Sequence, residues 1–204
     1  MGRRVRHHVN PLGAEFLGRR IDPIALPPGE VEVELGCADA RFLFERAPLH
    51  PRVSFVGLEI RQPLVDEVND KARALGLANL RAVFTNVNVD LDALFADERV
   101  ARFFVNFPDP WFKRRHHKRR VMNPELVDVL HKKLVPGGEL FFQSDVWDLA
   151  LDALAVLEGA PQRFRNLDGP WSFCRDNPFG ARSLREVRCE ERQMRIWRMR
   201  YVRV

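Results

Sequence analysis

The chain reads as an α/β protein with a doubly wound, mostly parallel sheet. Three observations predict this. Short apolar runs of strand character alternate with segments of helical period. Gly, Pro and Asn punctuate the joints between them. Gly36, Glu59, Asn86, Asp109 and Asp145 all fall at the carboxyl ends of strands, where ligands gather in such folds.

Val31 to Leu35 is a short strand ending at Gly36, and Phe42 to Ala47 is a helical stretch stopped by Pro48. Val53 to Ile60 is the second strand. Val65, Val68, Ala72 and Leu75 then recur at helical spacing, with Gly76 placed to cap the helix. Leu80 to Thr85 is a third strand, Leu91 to Phe95 a short helix and Arg102 to Phe107 a fourth strand. Asn123 offers an N-cap with Pro124 at the first helical position, Val127, Leu130 and Leu134 form the apolar stripe, and Pro136-Gly137-Gly138 ends the helix. Leu140 to Ser144 is a fifth strand, and Trp147, Ala150, Leu151, Leu154 and Leu157 mark another helix. Trp197 to Tyr201 alternates apolar residues with Arg, which predicts an antiparallel, half-buried C-terminal strand with a cationic outer face. That face is either an edge defended by charge or a surface turned to RNA.

At 204 residues and 46% hydrophobic content, the chain can bury one sizeable core, so a single domain over 1–204 is expected, with residues 1–20 as a basic N-terminal arm. The net charge is +5, but it is unevenly placed. Residues 1–20 carry five Arg and one Glu, 113–120 six Lys or Arg, and 182–204 eight Arg and three Glu, leaving an acidic remainder. If these basic segments converge they form a polyanion footprint; if not, they are separate solvated faces. Cys37, Cys174 and Cys189 are too scattered for a disulfide framework or a zinc site, which fits a reducing cytoplasm. No apolar h-region follows the basic start, and no stretch approaches about 20 uncharged apolar residues, so a soluble, unexported protein without membrane contact is expected.

The most informative stretch is residues 103–120, FFVNFPDPWFKRRHHKRR. Pro108 and Pro110 each fix φ and lack an amide donor, so Asp109 is pinned in a rigid turn at the end of a strand. Trp111 and Phe112 follow, and then the cationic run. A carboxylate, aromatic rings and cations within so few residues suit a site for a flat polar ring on a phosphate backbone. His116 and His117 lack companions of metal-ligand type and read as phosphate or backbone contacts. Upstream, Glu34 to Ala40 has the small-residue profile of a nucleotide loop but only one glycine. Glu59, at the end of the next strand, is placed to accept hydrogen bonds from ribose hydroxyls.

Phe107-Pro108-Asp109-Pro110-Trp111, followed by Lys113, His116 and Lys118-Arg119-Arg120, resembles the hallmark string of the bacterial tRNA (guanine-N7)-methyltransferases. The likeness runs from about residue 30 to the C-terminus. It implies a Rossmann-like fold, S-adenosyl-L-methionine as cofactor, a variable-loop guanine of tRNA as substrate and a monomer or homodimer. On the same resemblance, Glu34, Gly36, Glu59, Asn86 and Asp109 bind the cofactor, and Lys113, Asp145, Ser183 and Glu186 bind the substrate. Asp109 is the candidate catalytic residue, orienting guanine and stabilising the cation formed on methylation. This chain departs from the family pattern with Ala38 and Ala40 in the cofactor loop, Asn86 in place of Asp, and Ser183 in place of Thr. An Ala held at positive φ would be strained. Two alternatives are an RNA-binding protein that has lost its cofactor and a methyltransferase for another substrate.

Overall fold

Apolar β-branched and aromatic residues at strand spacing build a central sheet from β1 (Val31–Leu35), β2 (Ser54–Glu59), β3 (Leu80–Phe84), β4 (Val100–Asn106), β5 (Leu134–Ser144), β6 (Phe164–Asn166) and β7 (Trp197–Arg203). The computed structural model describes residues 9–13 and 21–204, so the expected basic arm over residues 1–20 lies largely outside the described residues. The strand order is β3-β2-β1-β4-β5-β7-β6. The first five strands run parallel, while β7 pairs antiparallel with both β5 and β6.

Helices α1 (Arg41–Arg46), α2 (Gln62–Ala74), α3 (Val87–Leu94), α4 (Pro124–Lys133), α5 (Trp147–Glu158) and α6 (Leu184–Glu191) complete the fold. Period-two alternation assigns the faces. Val31, Val33 and Leu35 join Leu91, Leu130 and Leu154 in one core layer, formed with α3, α4 and α5. On the other face Phe55, Phe104 and Phe141 meet Phe42 and Leu43 of α1 and Val65 and Val68 of α2. The sheet is thereby covered on both faces, which is why its central strands are nearly continuously buried.

The face toward α1 also carries charge, and that charge is paired. Glu32, Arg102 and Glu139 stand in register across β1, β4 and β5. Arg46 forks onto Glu32 with both bonds at 2.7 Å, Arg102 also pairs with Glu32, and Arg200 donates to Glu139 at 2.7 Å. Glu32 and Glu139 are tolerated in this layer because each faces a guanidinium.

The local signals mostly hold. Asn123 caps α4 by accepting from the Leu126 N–H at 2.8 Å, Pro124 opens the helix, and Gly76 follows α2 at φ 67°. Asn86 caps α3, so that helix starts at Val87, ahead of the expected Leu91. The stop signal Pro136-Gly137-Gly138 lies inside β5, not at a helix end: α4 finishes at Lys133, and the strand runs through a register shift opposite Val100 and Arg102 with Gly137 at φ 74°. Trp147 and Leu151 are exposed, off the buried stripe of α5 that Leu149, Ala150, Ala153, Leu154 and Leu157 form. The C-terminal strand is not an edge, since β6 covers it, and its Arg198 and Arg200 turn inward onto Glu186 and Glu139. No described helix is long and apolar enough to cross a membrane.

Candidate active site

The strand order reverses between β1 and β4, and the site lies beyond their carboxyl ends. After β1 the chain turns at Gly36, at φ 75°, and the Gly36 and Cys37 N–H groups both donate to the Leu58 carbonyl of β2 at 2.8 and 3.0 Å. Gly57 permits this approach, because a Cβ there would meet the Cys37 Sγ at 2.5 Å. Ala38 and Ala40 both adopt φ 51°, the strained left-handed region that the missing glycines would have occupied freely. Above Gly36 the space where a Cβ would project is open to 4 Å, so a ligand can come close to the backbone.

Glu34 and Glu59 hold this turn from both sides. Glu34 accepts from the Asn106 amide at 2.7 Å through Oε1, while its buried Oε2 has no hydrogen-bond partner. Burial pushes the carboxyl from its usual 4.5 up to about 8, against the lowering effect of Asn106. A bound cation would offset that burial and displace the proton, so the unpartnered Oε2 beside an open glycine fits a cofactor that carries positive charge. A pH dependence follows from the same observation. The folded state retains a proton that the unfolded chain releases near 4.5, so this group makes stability fall as pH rises from about 4.5 to about 8. In Glu34→Gln that part of the slope is expected to vanish, as judged by urea midpoints across the window. A slope equal to the wild type's would assign it to another group.

Glu59 is buried, and its carboxylate is saturated. It accepts from the Ala38 N–H at 3.0 Å, from the Arg61 N–H at 3.0 Å, and from Arg61 Nε and Nη2 at 2.8 and 2.9 Å. A carboxylate has about four acceptor positions, so ribose hydroxyls reach Glu59 only when the Arg61 side chain swings aside. Arg61 is held strongly protonated, first by its bonds to Glu59 and further by the nearby Asp109. Asn86 is engaged as well, with Oδ1 capping α3 and Nδ2 donating to the Pro11 carbonyl at 2.6 Å.

Beyond β4, Phe107 at φ 50° and Trp111 at φ 46° bracket the Pro108-Asp109-Pro110 turn, leaving Asp109 half-buried. Arg120 ties the turn to the body: it donates to the Pro110 carbonyl at 2.9 Å and pairs with Asp152 of α5. The cationic run divides accordingly. Lys113, Arg114, Arg115 and Lys118 are exposed, Arg119 lies 5.0 Å over the Trp111 ring, and Arg120 is buried. His116 meets the edge of Trp111 at 5.9 Å. Among the described residues no His, Cys, Asp or Glu group is arranged to hold a metal ion.

Of the residues expected at the substrate, Asp145, Ser183 and Glu186 come together beyond β5 through α6, while Lys113 lies on the exposed run after β4. Asp145 pairs with Arg185 of α6, whose guanidinium it holds strongly protonated. Ser183 caps α6, accepting from the Glu186 N–H at 3.2 Å. Glu186 is 0% exposed, and its carboxylate accepts from Gln143 and Arg198 at 2.9 Å each and from Asn177 at 3.0 Å. In this arrangement it faces the protein interior. Gln143 also donates to Asn106, so hydrogen bonds run without a break from Glu34 through Asn106 and Gln143 to Glu186 and Arg198. Sequence reasoning passed over Arg61, Asn106, Gln143 and Arg198. The available signal was a polar residue on an otherwise apolar strand, or a cation two places after an acidic strand end.

A family described as "Putative methyltransferase" matches residues 29–199. A tRNA (guanine-N(7)-)-methyltransferase of Synechococcus sp. (strain JA-3-3Ab) is 39% identical over 97% of this chain and 85% of its own length. Another, of Microcystis aeruginosa, is 42% identical over 82% of this chain and 83% of its own length. Among solved structures, the 16S rRNA methyltransferase KamB superposes with a TM-score of 0.64 at 15% identity, covering 86% of this chain and 88% of its own. An Aquifex aeolicus SAM dependent methyltransferase superposes at 0.59 and 13% identity over 86% of this chain and 82% of its own, and both likenesses concern the fold. With the glycine turn and Glu59 on one side, the proline-pinned Asp109 on the other and relatives matching over nearly the whole length, the chain belongs to the tRNA (guanine-N7)-methyltransferase family.

Proposed function

We propose that this protein transfers a methyl group from S-adenosyl-L-methionine to N7 of a variable-loop guanine in tRNA, in the cytoplasm. The observation that carries the reading is the placement of Asp109, held between two prolines at the end of β4, next to the β1 turn and at the root of an exposed cationic run. The cofactor supplies an already activated methyl group. Guanine N7 presents its lone pair in the plane of the base, so no group of the protein needs to remove a proton before attack. The protein's part is alignment and charge stabilisation. Gly36 and Ala38 shape the cofactor side, and Glu34 offers the unpartnered Oε2 to a positive group. Glu59 would hold the ribose hydroxyls once Arg61 withdraws, and Asn86 would hold the adenine. Asp109 orients the guanine edge and stabilises the positive charge that methylation leaves on the base. Asp145 and Ser183 sit at the acceptor end, and Glu186 sets the position of α6 from beneath.

The direct test is to incubate unmodified tRNA with the protein and S-adenosyl-L-methionine, then cut the tRNA with a base-specific ribonuclease and weigh both the fragments and their nucleosides. N7-methylguanosine at one position supports the reading, and methylation elsewhere or none overturns it. The exposed cations allow a second check. Replacing Lys113, Arg114 and Arg115 with Ala is expected to weaken binding to all tRNAs and to flatten its salt dependence by about 0.7 to 0.9 log units per lost phosphate contact. Lys113, closest to the proline turn, contributes most. A preserved salt slope would make the run a solvated face.

A further inference from the structure

Two residues beyond Asp145, Trp147 opens α5 and is 43% exposed. Its ring centroid lies 4.2 Å from that of Trp197 and 5.7 Å from that of Phe173, and the latter two are 5.2 Å apart, so the three rings form a closed triangle. Phe173 and Trp197 pack against the core layer of α3 to α5 and hold the cluster rigid, leaving Trp147 as its outward member. Arg195 stacks over Trp197 at 3.8 Å from the ring centroid. Trp197 is paired with Ser144, the residue before Asp145, so the cluster sits at the carboxyl end of β5 beside the acceptor residues. Asp145, two residues before Trp147, pairs with Arg185 of α6.

We propose that this aromatic triangle is a stacking surface for an unpaired base of the RNA substrate, next to the nucleotide that is methylated. The proposal rests on the tRNA reading above and names a second point of contact for the same substrate. Its chemistry favours RNA. A base offers a flat π face to Trp147 and a phosphate to Arg195, whereas a helix or strand of a partner protein would seek a continuous apolar groove. A single large ring, rigidly backed, exposed and beside a guanidinium, gives a base sequence-tolerant stacking with little ordering cost.

The test compares Trp147→Leu and Trp147→Phe with the wild type in binding to unmodified tRNA over a range of salt. Trp147→Leu keeps apolar bulk without a π face and is expected to lose about 5- to 100-fold in affinity, while Trp147→Phe retains most of it. The salt slope and the affinity for S-adenosylhomocysteine should stay at wild-type values, and far-ultraviolet circular dichroism with an unchanged urea midpoint should confirm the fold. Equal binding by Trp147→Leu and wild type overturns the proposal. So does a salt slope that flattens together with affinity, which would mean lost charge contacts, or a change in oligomeric state, which would make the face a contact between copies. If the wild type binds no tRNA, the functional reading falls with it; if only the variant comparison fails, the stacking surface alone falls.

Discussion

Replacing Asp109 with Asn is expected to slow methyl transfer in a single turnover by about 100-fold or more while tRNA affinity stays close to that of the wild type. Asn keeps the shape and one acceptor oxygen, so the base can still be oriented in part, but the negative charge is gone. Phosphate contacts are expected to set most of the affinity through the exposed Lys113, Arg114 and Arg115, which the substitution leaves untouched. The bracketing prolines and the Arg120 anchor keep the turn in place, so a gross rearrangement is not expected. Rapid-quench methylation with enzyme in excess, together with filter binding, separates the roles. A rate within about threefold of wild type would remove charge stabilisation from Asp109, and a parallel collapse of tRNA binding would make it a ground-state contact.

The second large effect concerns stability. Arg198 and Glu186 form a buried pair at 2.9 Å, with side chains 10% and 0% exposed, so solvent screens it little. Arg198→Met leaves the Glu186 carboxylate buried against neutral amides alone and is expected to cost about 3 to 5 kcal/mol. That is a large share of the roughly 5 to 15 kcal/mol that holds a typical domain together. Adding Glu186→Gln is expected to recover most of the loss, because the uncompensated charge, more than the missing attraction, is what destabilises. Urea denaturation of the single and double variants measures this. A single variant within about 1 kcal/mol of wild type would show that water reaches Glu186 in solution. The same variants bear on function: Glu186 and Ser183 resemble a substrate motif, yet Ser183 caps α6 and Glu186 locks its first turn onto β5 and β7. Their effect on tRNA is expected to run through the placement of α6 and of Arg185 on Asp145.

The alternation of strand and helix, the caps at Asn123 and Gly76 and the five residues at the carboxyl ends of the strands were all legible in the chain, because each depends on neighbours within a turn or two. Asp109 was legible for the same reason, since two prolines constrain it from adjacent positions. The strain expected of Ala38 and Ala40 follows from the chemistry of a Cβ at positive φ, and both residues have that geometry. Tertiary structure decided who occupies each polar group. Glu34 meets Asn106 across 72 residues, Gln143 meets Glu186 across 43, and Arg198 meets Gln143 across 55. Alternation says that such residues share a face of the sheet, but not which strand lies next to which. The sheet order β1-β4-β5-β7 brings Glu34, Asn106, Gln143 and Arg198 onto neighbouring strands and so turns these polar side chains toward one another in the interior, Arg198 among them although its alternation predicted an outer face. Arg61 on Glu59 is the local counterpart: only two residues apart, they could pair or point apart, and the close packing of the β1 turn on Gly57 brings the Ala38 N–H onto the same carboxylate that Arg61 grips. Period and backbone constraint are properties of the chain, whereas the partner of a buried charge is a property of the packed sheet, because desolvation makes that charge take whichever donor the topology places beside it.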